Sequence, residues 1–302
     1  MKFTGRSNIS ATVLCDSITY SGVRITTFEL EYPRFILAEL NTHRMISKNS
    51  ASSRAIPKTA MHQHIRESAA VPVVWGSNKP GMQAGEPLGK TQREAAEAVW
   101  LAARDQMLSH SNILFQTGVH KQLANRITEP WMQMKTVATA TEWNNLLHLR
   151  NHVDAQPEFC ELAQQIAAAL QLHVPQQLKA GEWHVPYVAT KRDSLGELHY
   201  YSGTDELTVD TAIKLSASCC AQVSYRKTDL SITKALDIYH RLIDSKPVHA
   251  SPVEHQATPQ PSPSQKAWPL GVTHQDREGQ FWSGNFRGWI QYRKLVPGEA
   301  VW

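Results

Sequence analysis

Residues 42–54 read THRMISKNSASSR, a stretch that crowds two arginines, a histidine, an asparagine and four serines into thirteen positions. Hydroxyls, backbone N–H groups and guanidinium forks are the donors that phosphate or pyrophosphate oxygens need. A solvated polar loop has the same composition, so composition alone leaves both readings standing. The residues leading in are better defined. Residues 25–32, ITTFELEY, alternate Phe28, Leu30 and Tyr32 with Thr27, Glu29 and Glu31, the period of a strand with one buried face. Pro33 stands where a helix begins, and Ile36, Leu37 and Leu40 give that helix an apolar stripe. Strand and helix deliver the chain to Thr42, His43 and Arg44. The Ser- and Asn-rich residues 45–57 that follow, ending at Pro57, are expected to form a loop.

Further along, Thr91 and Glu94 have the spacing of a capping box and open a long helix to about Gly118. A second helix is expected from Glu142 to His152, with Trp143, Leu146, Leu147 and Arg150 on one face. A third starts at Pro157 and buries Phe159, Leu162, Ala163, Ile166 and Leu170. Residues 174–206 scatter Pro, Gly and Trp without a period and read as an extended connection. Helical spacing resumes at Val209, Ala212 and Ile213 and again at Ala235, Ile238, Tyr239 and Leu242. PQPSPSQKAWP (259–269) is a loop or linker. No fixed-period repeat is present.

With 302 residues the chain can bury one large core or two modest ones. Its 41 % hydrophobic and 19 % charged content is that of a globular protein, and no apolar run reaches the ~18–20 residues of a membrane span. The opening MKFTGRSNIS lacks a signal-peptide core, and Cys15, Cys160, Cys219 and Cys220 form no disulfide framework, so a reducing, cytoplasmic setting is expected. A net charge of +4 without a block of like charges makes nucleic acid an unexpected partner. Fourteen histidines and nine tryptophans are compatible with a planar ligand.

The order of residues in 42–54 resembles the R-H-R-x-x-S-x-N-x-x-S-x-R signature of the flavin-dependent thymidylate synthases. His43, Arg44, Ser47, Asn49, Ser52 and Arg54 fall at its spacing, and Thr42 replaces the first arginine. The resemblance implies that the early part, His43, Arg44, Asn49 and Ser50, lies on the flavin side and that Ser52 and Arg54, with Ser53, hold a nucleotide phosphate. Arg126-Ile-Thr-Glu-Pro130 is similar to the family's Arg-x-x-x-Pro segment, which makes Arg126 a second phosphate ligand. Asn145-Leu-Leu-His-Leu-Arg150 with Asp154-Ala-Gln156 is similar to its N-x-x-x-L-R-x-x-x-H-A-Q segment. Arg150 then faces the pyrimidine, Asn145 and Leu149 the flavin, and Asp154 stands where a flavin-contacting histidine is usual. Taken alone, an arginine on an apolar helix face is a core ion-pair partner.

Ala221-Gln-Val-Ser-Tyr225 and His249-Ala-Ser-Pro-Val-Glu-His255 resemble two FAD-binding segments that normally precede the R-H-R motif. They implicate Ser224, His249, Ser251 and Glu254, and their position after the motif implies a circular permutation, which proteins tolerate where the old termini lie close together. The fold implied is α+β, a flavin-dependent thymidylate synthase-like arrangement of helices on a mainly antiparallel sheet in circularly permuted order. One catalytic domain would span 1–302, with a nucleotide and flavin half at 1–173, a flavin-binding half at 207–258 and a C-terminal extension at 259–302. In that extension Gly284–Trp289 reads as a surface turn.

His249, Glu254, His255 and the pair His62 and His64 carry metal-ligand atoms, but their spacing matches no zinc signature and no metal is expected. Cys219 and Cys220 follow Ile213 at helical spacing and read as small buried residues. The Pro-Cys-His nucleophile context of flavin-free thymidylate synthases is absent. C5 of uracil becomes nucleophilic when donors stabilise an enolate-like anion, which suits a guanidinium such as Arg150. Arg150 and Ser52 are therefore the candidate catalytic residues, and Glu39, Ser52, Ser53, Arg54, Arg126 and Arg150 the substrate set. The resemblance implies FAD as cofactor, NADPH and methylenetetrahydrofolate as co-substrates, dUMP as acceptor and a homotetramer. Glu39, Thr42 and Ser50 depart from the family pattern around the pocket. They keep a dUMP or dCMP 5-hydroxymethylase open, and a flavin-free nucleic-acid binder is the rival of another class.

Overall fold

The computed structural model describes residues 1–226, 228–262 and 267–300. Its centre is a six-stranded sheet. Strands β1 (Lys2–Thr4), β2 (Ser10–Thr19), β3 (Arg24–Pro33), β4 (Ser47–Ser50) and β5 (Gln133–Ala140) run in the order β1-β2-β3-β5-β4, every neighbour antiparallel. β6 (Gln176–Leu178) adds to β2 in parallel.

The alternation in β3 places its apolar residues on one face as the sequence requires, but the opposite face is not left to solvent, since Thr27 is also fully buried. Phe28, Leu30 and Tyr32 enter one core with Phe159, Leu162 and Ile166, and Phe28 meets Trp143 edge-on at 5.1 Å. The core helices are α1 (Leu37–Thr42), which follows a 3-10 turn at Arg34–Ile36, α2 (Lys58–Glu67), α3 (Lys90–Gln116), the short α4 (Lys121–Ala124), α5 (Asn144–Arg150) and α6 (Pro157–Leu172). α6 starts on Pro157 at its first turn, and its Phe159, Leu162, Ala163 and Ile166 are fully buried. Removing a side chain such as Phe159 would cost about 3–5 kcal/mol.

The chain continues into β7 (Ala189–Arg192), β8 (Leu198–Ser202) and β9 (Asp205–Leu207), then α7 (Val209–Gln222) and α8 (Ile232–Ile243), which pack against each other. Strands β10 (Ala257–Pro259), β11 (His274–Gln275), β12 (Phe281–Ser283), β13 (Phe286–Arg287) and β14 (Trp289–Gln291) complete it, β10 pairing with β14. Among the described residues no helix is long and apolar enough to cross a membrane. Cys219 and Cys220 are buried, and burial pushes the Cys219 thiol up to about 12.

Four expectations need correction. Residues 45–57 are not wholly loop: Ser47–Ser50 pair with Thr136–Thr139 as β4, because backbone pairing needs no apolar alternation when the side chains find polar partners. Thr91 does not cap α3, whose N-cap is Gly89, two residues earlier, without a side-chain cap. The 174–206 stretch is built, not merely extended. It carries β6 and the sheet β7-β8-β9, where Tyr200 and Leu207 are buried beside Ile213 and Leu215. Gly284–Trp289 is no simple surface turn, since Phe286 and Trp289 are fully buried against Ile25, Leu178 and Ala257. The 259–269 linker opens inside β10, and its residues 263–266 lie outside the described residues.

Behind the sheet a buried chain of side chains links β2, β3 and β5. Ser17 Oγ lies 2.9 Å from His184 Nδ1, and His184 Nε2 lies 2.8 Å from Thr27 Oγ1. Thr27 Oγ1 is 2.7 Å from Thr139 Oγ1, which is 2.8 Å from His255 Nδ1. Burial lowers both imidazoles to about 3, and it lowers His62 and His64 on α2 to about 4. The native protein thus refuses protons that the unfolded chain accepts below pH 6.5. The contribution of these histidines to stability is complete above pH 6.5 and is lost as the pH falls toward 4. Urea unfolding should therefore give a free energy that declines steadily between about pH 6.5 and about pH 4.5. A flat profile across that interval would contradict the buried neutral histidines.

Candidate active site

The polar motif becomes a site because β4 fixes its alternation. Ser47 and Asn49 are buried, and Lys48 and Ser50 point the other way, half-buried. Ser50 Oγ is 2.8 Å from Thr136 Oγ1, itself 2.7 Å from Tyr32 Oη, and burial raises the Tyr32 phenol to about 12. Lys48 Nζ donates to the carbonyls of Leu40 (3.2 Å) and His43 (2.6 Å), placing a cation at the C-terminus of α1. Burial lowers this ammonium to about 8, opposed by the nearby Glu254 carboxylate.

On the facing helices, Arg150 at the end of α5 is held by three groups. Its Nε donates to His43 Nε2 at 3.1 Å, its Nη1 to Glu39 Oε2 at 2.9 Å, and its guanidinium lies 4.8 Å over the Phe159 ring. His43 also meets Phe159 edge-on at 5.7 Å. Desolvation, and then the charges of Arg150 and Lys48, lower His43 to about 4. It is neutral at pH 7 and, accepting at Nε2, carries its proton on Nδ1. The core ion pair expected of an arginine on an apolar face is present, but its Nη2 has no partner among the described residues.

A second cluster surrounds Glu129. Ser53 Oγ donates to Glu129 Oε1 at 2.5 Å, Arg34 lies 3.0 Å from its other oxygen and Arg126 3.7 Å from Oε1. Asn125 Nδ2 donates to the carbonyls of Ser53 (2.8 Å) and Ile56 (3.2 Å), fixing the turn that follows β4. Arg34, Phe35, Leu37, Arg126, Glu129 and Pro130 border an open cleft of about 540 Å³. Arg44, Arg54 and Arg126 are exposed, and among the described residues neither the Arg44 nor the Arg54 guanidinium has a hydrogen-bond or ion-pair partner, although Arg54 N donates to Ser52 Oγ at 3.3 Å.

The late segments reach the same strand. Ser52 N donates to Ser224 O at 3.0 Å, in the 3-10 turn Val223–Tyr225 that ends α7. Glu254, in the turn Ser251–Glu254, ion-pairs with Arg293, and its carbonyl accepts from Gln291 Nε2 at 3.1 Å. Gln291 also reaches Ser47 Oγ at 3.3 Å. Asn49, Asn145, Ser224, His249 and Ser251 have no side-chain hydrogen bond among the described residues, Leu149 is exposed, and Asp154 lies 3.6 Å from His152. The structure thus joins 42–54 to Ser224 and Glu254, and Arg150 to His43 and Glu39. Among the described residues no hydrogen bond links Asn145, Leu149 or Asp154 to the late segments. Sequence reasoning missed Lys48, Asn125, Glu129, Asn285 and Gln291. Lys48, Glu129 and Asn285 stand inside the quoted 42–54, 126–130 and 284–289 segments, whereas Asn125 and Gln291 carried no signal. Among the described residues no three His, Cys, Asp or Glu side chains converge to hold a metal ion.

The sequence profile of the thymidylate synthase complementing proteins matches residues 24–176, just over half of the chain, and the chain belongs to that family. This is the flavin-dependent thymidylate synthase family that the motifs resemble. The match takes in the 42–54, 126–130 and 145–156 segments and ends before 221–255. No curated protein matches the chain. Among solved structures, the UMP/dUMP methylase PolB from Streptomyces cacaoi bound with 5-Br dUMP is 19 % identical, covering 49 % of this chain and 66 % of that one with a TM-score of 0.40. The same methylase bound with 5-Br UMP is 17 % identical, covering 56 % and 91 %, with a TM-score of 0.46. The chain thus spans just under two thirds of the first of these.

Glu129 accepts from Ser53 and ion-pairs with Arg34 and Arg126, so Glu129→Gln should lower the unfolding free energy by about 1–2 kcal/mol. Chemical denaturation checks this, and unchanged stability would show that the cluster does not hold the turn after β4.

Proposed function

We propose that the protein is an FAD-dependent enzyme that transfers a one-carbon unit from methylenetetrahydrofolate to C5 of dUMP, giving dTMP, with NADPH as reductant. The observation that carries this reading is the junction of 42–54 with Ser224 and Glu254, because it assembles segments far apart in sequence around one polar strand. The residues present fit a flavin dinucleotide. Asn49, Asn145, Ser224, His249 and Ser251 offer polar groups without side-chain hydrogen bonds among the described residues, Arg44 an unpaired guanidinium and Leu149 an exposed apolar surface. His43, Ser50, Asp154 and Glu254 complete the proposed cofactor set. When bound, reduced FAD would supply the carrier chemistry for the one-carbon unit.

The chain's own residues bind and polarise the nucleotide. Arg54 and Arg126 present forks suited to a dianionic phosphate, with Ser52 as a further donor, whereas the Ser53 hydroxyl expected to join them is buried and gives its one proton to Glu129. Anchoring the phosphate orients the ring. Arg150, fixed by neutral His43 and by Glu39, retains N–H groups for a pyrimidine carbonyl and so stabilises charge developing on the ring oxygen. Holding the guanidinium before substrate arrives lowers the reorganisation needed during reaction.

A second reading, 5-hydroxymethylation of dUMP or dCMP, is supported by the departures from the family pattern at Glu39, Thr42 and Ser50, of which Glu39 stands beside Arg150; water access to the ring decides between the two products. The flavin-free nucleic-acid reading has no comparable support, since the exposed arginines form no continuous basic run. We further propose the circular permutation, the division at 1–173, 207–258 and 259–302, a homotetramer and a cytoplasmic location.

Incubation with dUMP or dCMP, methylenetetrahydrofolate, FAD and NADPH, followed by mass analysis of the nucleotide, tests the reading. A methyl gain on dUMP is expected, an added hydroxymethyl group selects the second reading, and unchanged nucleotides would overturn both. Arg150→Ala should reduce turnover by about 10²-fold or more while FAD stays bound. Parallel loss of flavin would show that its role is misassigned.

A further inference from the structure

The family match stops at residue 176, yet residues far beyond it grip the motif strand. Gln291 is 2 % exposed, and its amide nitrogen reaches Ser47 Oγ (3.3 Å), Glu254 O (3.1 Å) and Asn285 Oδ1 (3.0 Å). Asn285 Nδ2 in turn donates to Met45 O and Ser47 Oγ, both at 3.1 Å. Two amides from the β12–β14 segment therefore tie the start of β4 to the Ser251–Glu254 turn. The backbone is shaped for this. Gly284 has φ +60°, and a Cβ there would stand 2.8 Å from Gln291 Oε1. Gln291 N also donates to Ser283 Oγ at 3.0 Å, which fixes where its side chain starts. Amides whose bonds run to two motif segments are costly to misplace, so they define one relative position of those segments.

We propose that Asn285 and Gln291 are positioning residues that clasp β4 to the Glu254 turn in the arrangement that receives the flavin dinucleotide. The proposal rests on the functional reading given above. It adds that the C-terminal segment, which no motif covers, is part of the flavin site. The clasp lies on the Ser47 side of the strand and makes no bond to Ser52, Ser53, Arg54 or Arg126 among the described residues. Loss of the clasp should therefore weaken flavin and spare the nucleotide phosphate.

The test uses the full chain with Asn285→Ala, on a half-buried turn, and Gln291→Met, which keeps length and apolar packing while removing the donor. FAD affinity is read by quenching of flavin fluorescence, dUMP affinity by calorimetry and folding by far-UV circular dichroism. Each variant should bind FAD about tenfold more weakly, the loss expected for one or two buried hydrogen bonds. dUMP affinity should stay within about twofold of the parent, and the double variant should be no worse than the sum of the single effects. Unchanged FAD affinity in both variants, or equal losses of FAD and dUMP, would overturn the clasp. A parent protein that binds no FAD overturns the functional reading itself and the clasp with it. A folding defect confined to Gln291→Met leaves Asn285→Ala to decide.

Discussion

The backbone pairing of Ser47–Ser50 with Thr136–Thr139 is the constraint on which the site depends. A run of Ser, Lys, Asn and Ser has little apolar surface to bury, so it cannot hold a place in a sheet by hydrophobic packing. It is held by the ladder and by polar partners on both faces: Thr136 for Ser50, and Asn285 and Gln291 for Ser47. Once in register, successive residues must face opposite ways. That alternation separates Ser47 and Asn49 from Lys48 and Ser50, and it sends the chain into the turn where Ser52, Ser53 and Arg54 gather.

Electrostatics complete what the ladder begins. Lys48 neutralises the carbonyl end of α1, the helix that carries Glu39. Burial keeps the His43 imidazole neutral, reinforced by two flanking cations, Arg150 and Lys48. A neutral His43 can accept from Arg150 Nε, whereas a protonated one would repel it. Glu129 plays the matching role for Arg34 and Arg126, holding two cations near a cleft without covering it. Both arginine clusters are thus oriented by fixed acidic or neutral partners before any ligand is present.

Much of the scaffold was legible in the sequence because it is periodic. β3 and α6 bury the residues their spacing selects, and Arg150 lies on the apolar face that Trp143 and Leu146 define. β4 was not legible, since a polar strand at a sheet edge has no hydrophobic period to betray it. The β7–β9 sheet was obscured by short strands between glycines, and the Thr91 capping pattern lost to Gly89 because extended Gly89 lets α3 start two residues earlier. At the site, the order of residues in 42–54 and 145–150 pointed to the family, but the partners of those residues did not follow from it. Asn285 and Gln291 reach Ser47 across more than 230 residues, a proximity that only the packing of Phe286 and Trp289 under the sheet creates.

The central claim is that separate segments form one site for a flavin and a nucleotide. A crystal structure of the protein with FAD and dUMP tests it most directly. Flavin contacts are predicted from 43–50 and from 224–254, with the nucleotide phosphate on Ser52, Arg54 and Arg126 and its ring at Arg150. Nucleotide phosphate bound away from these arginines, or a flavin that touches neither β4 nor the Glu254 turn, would contradict it.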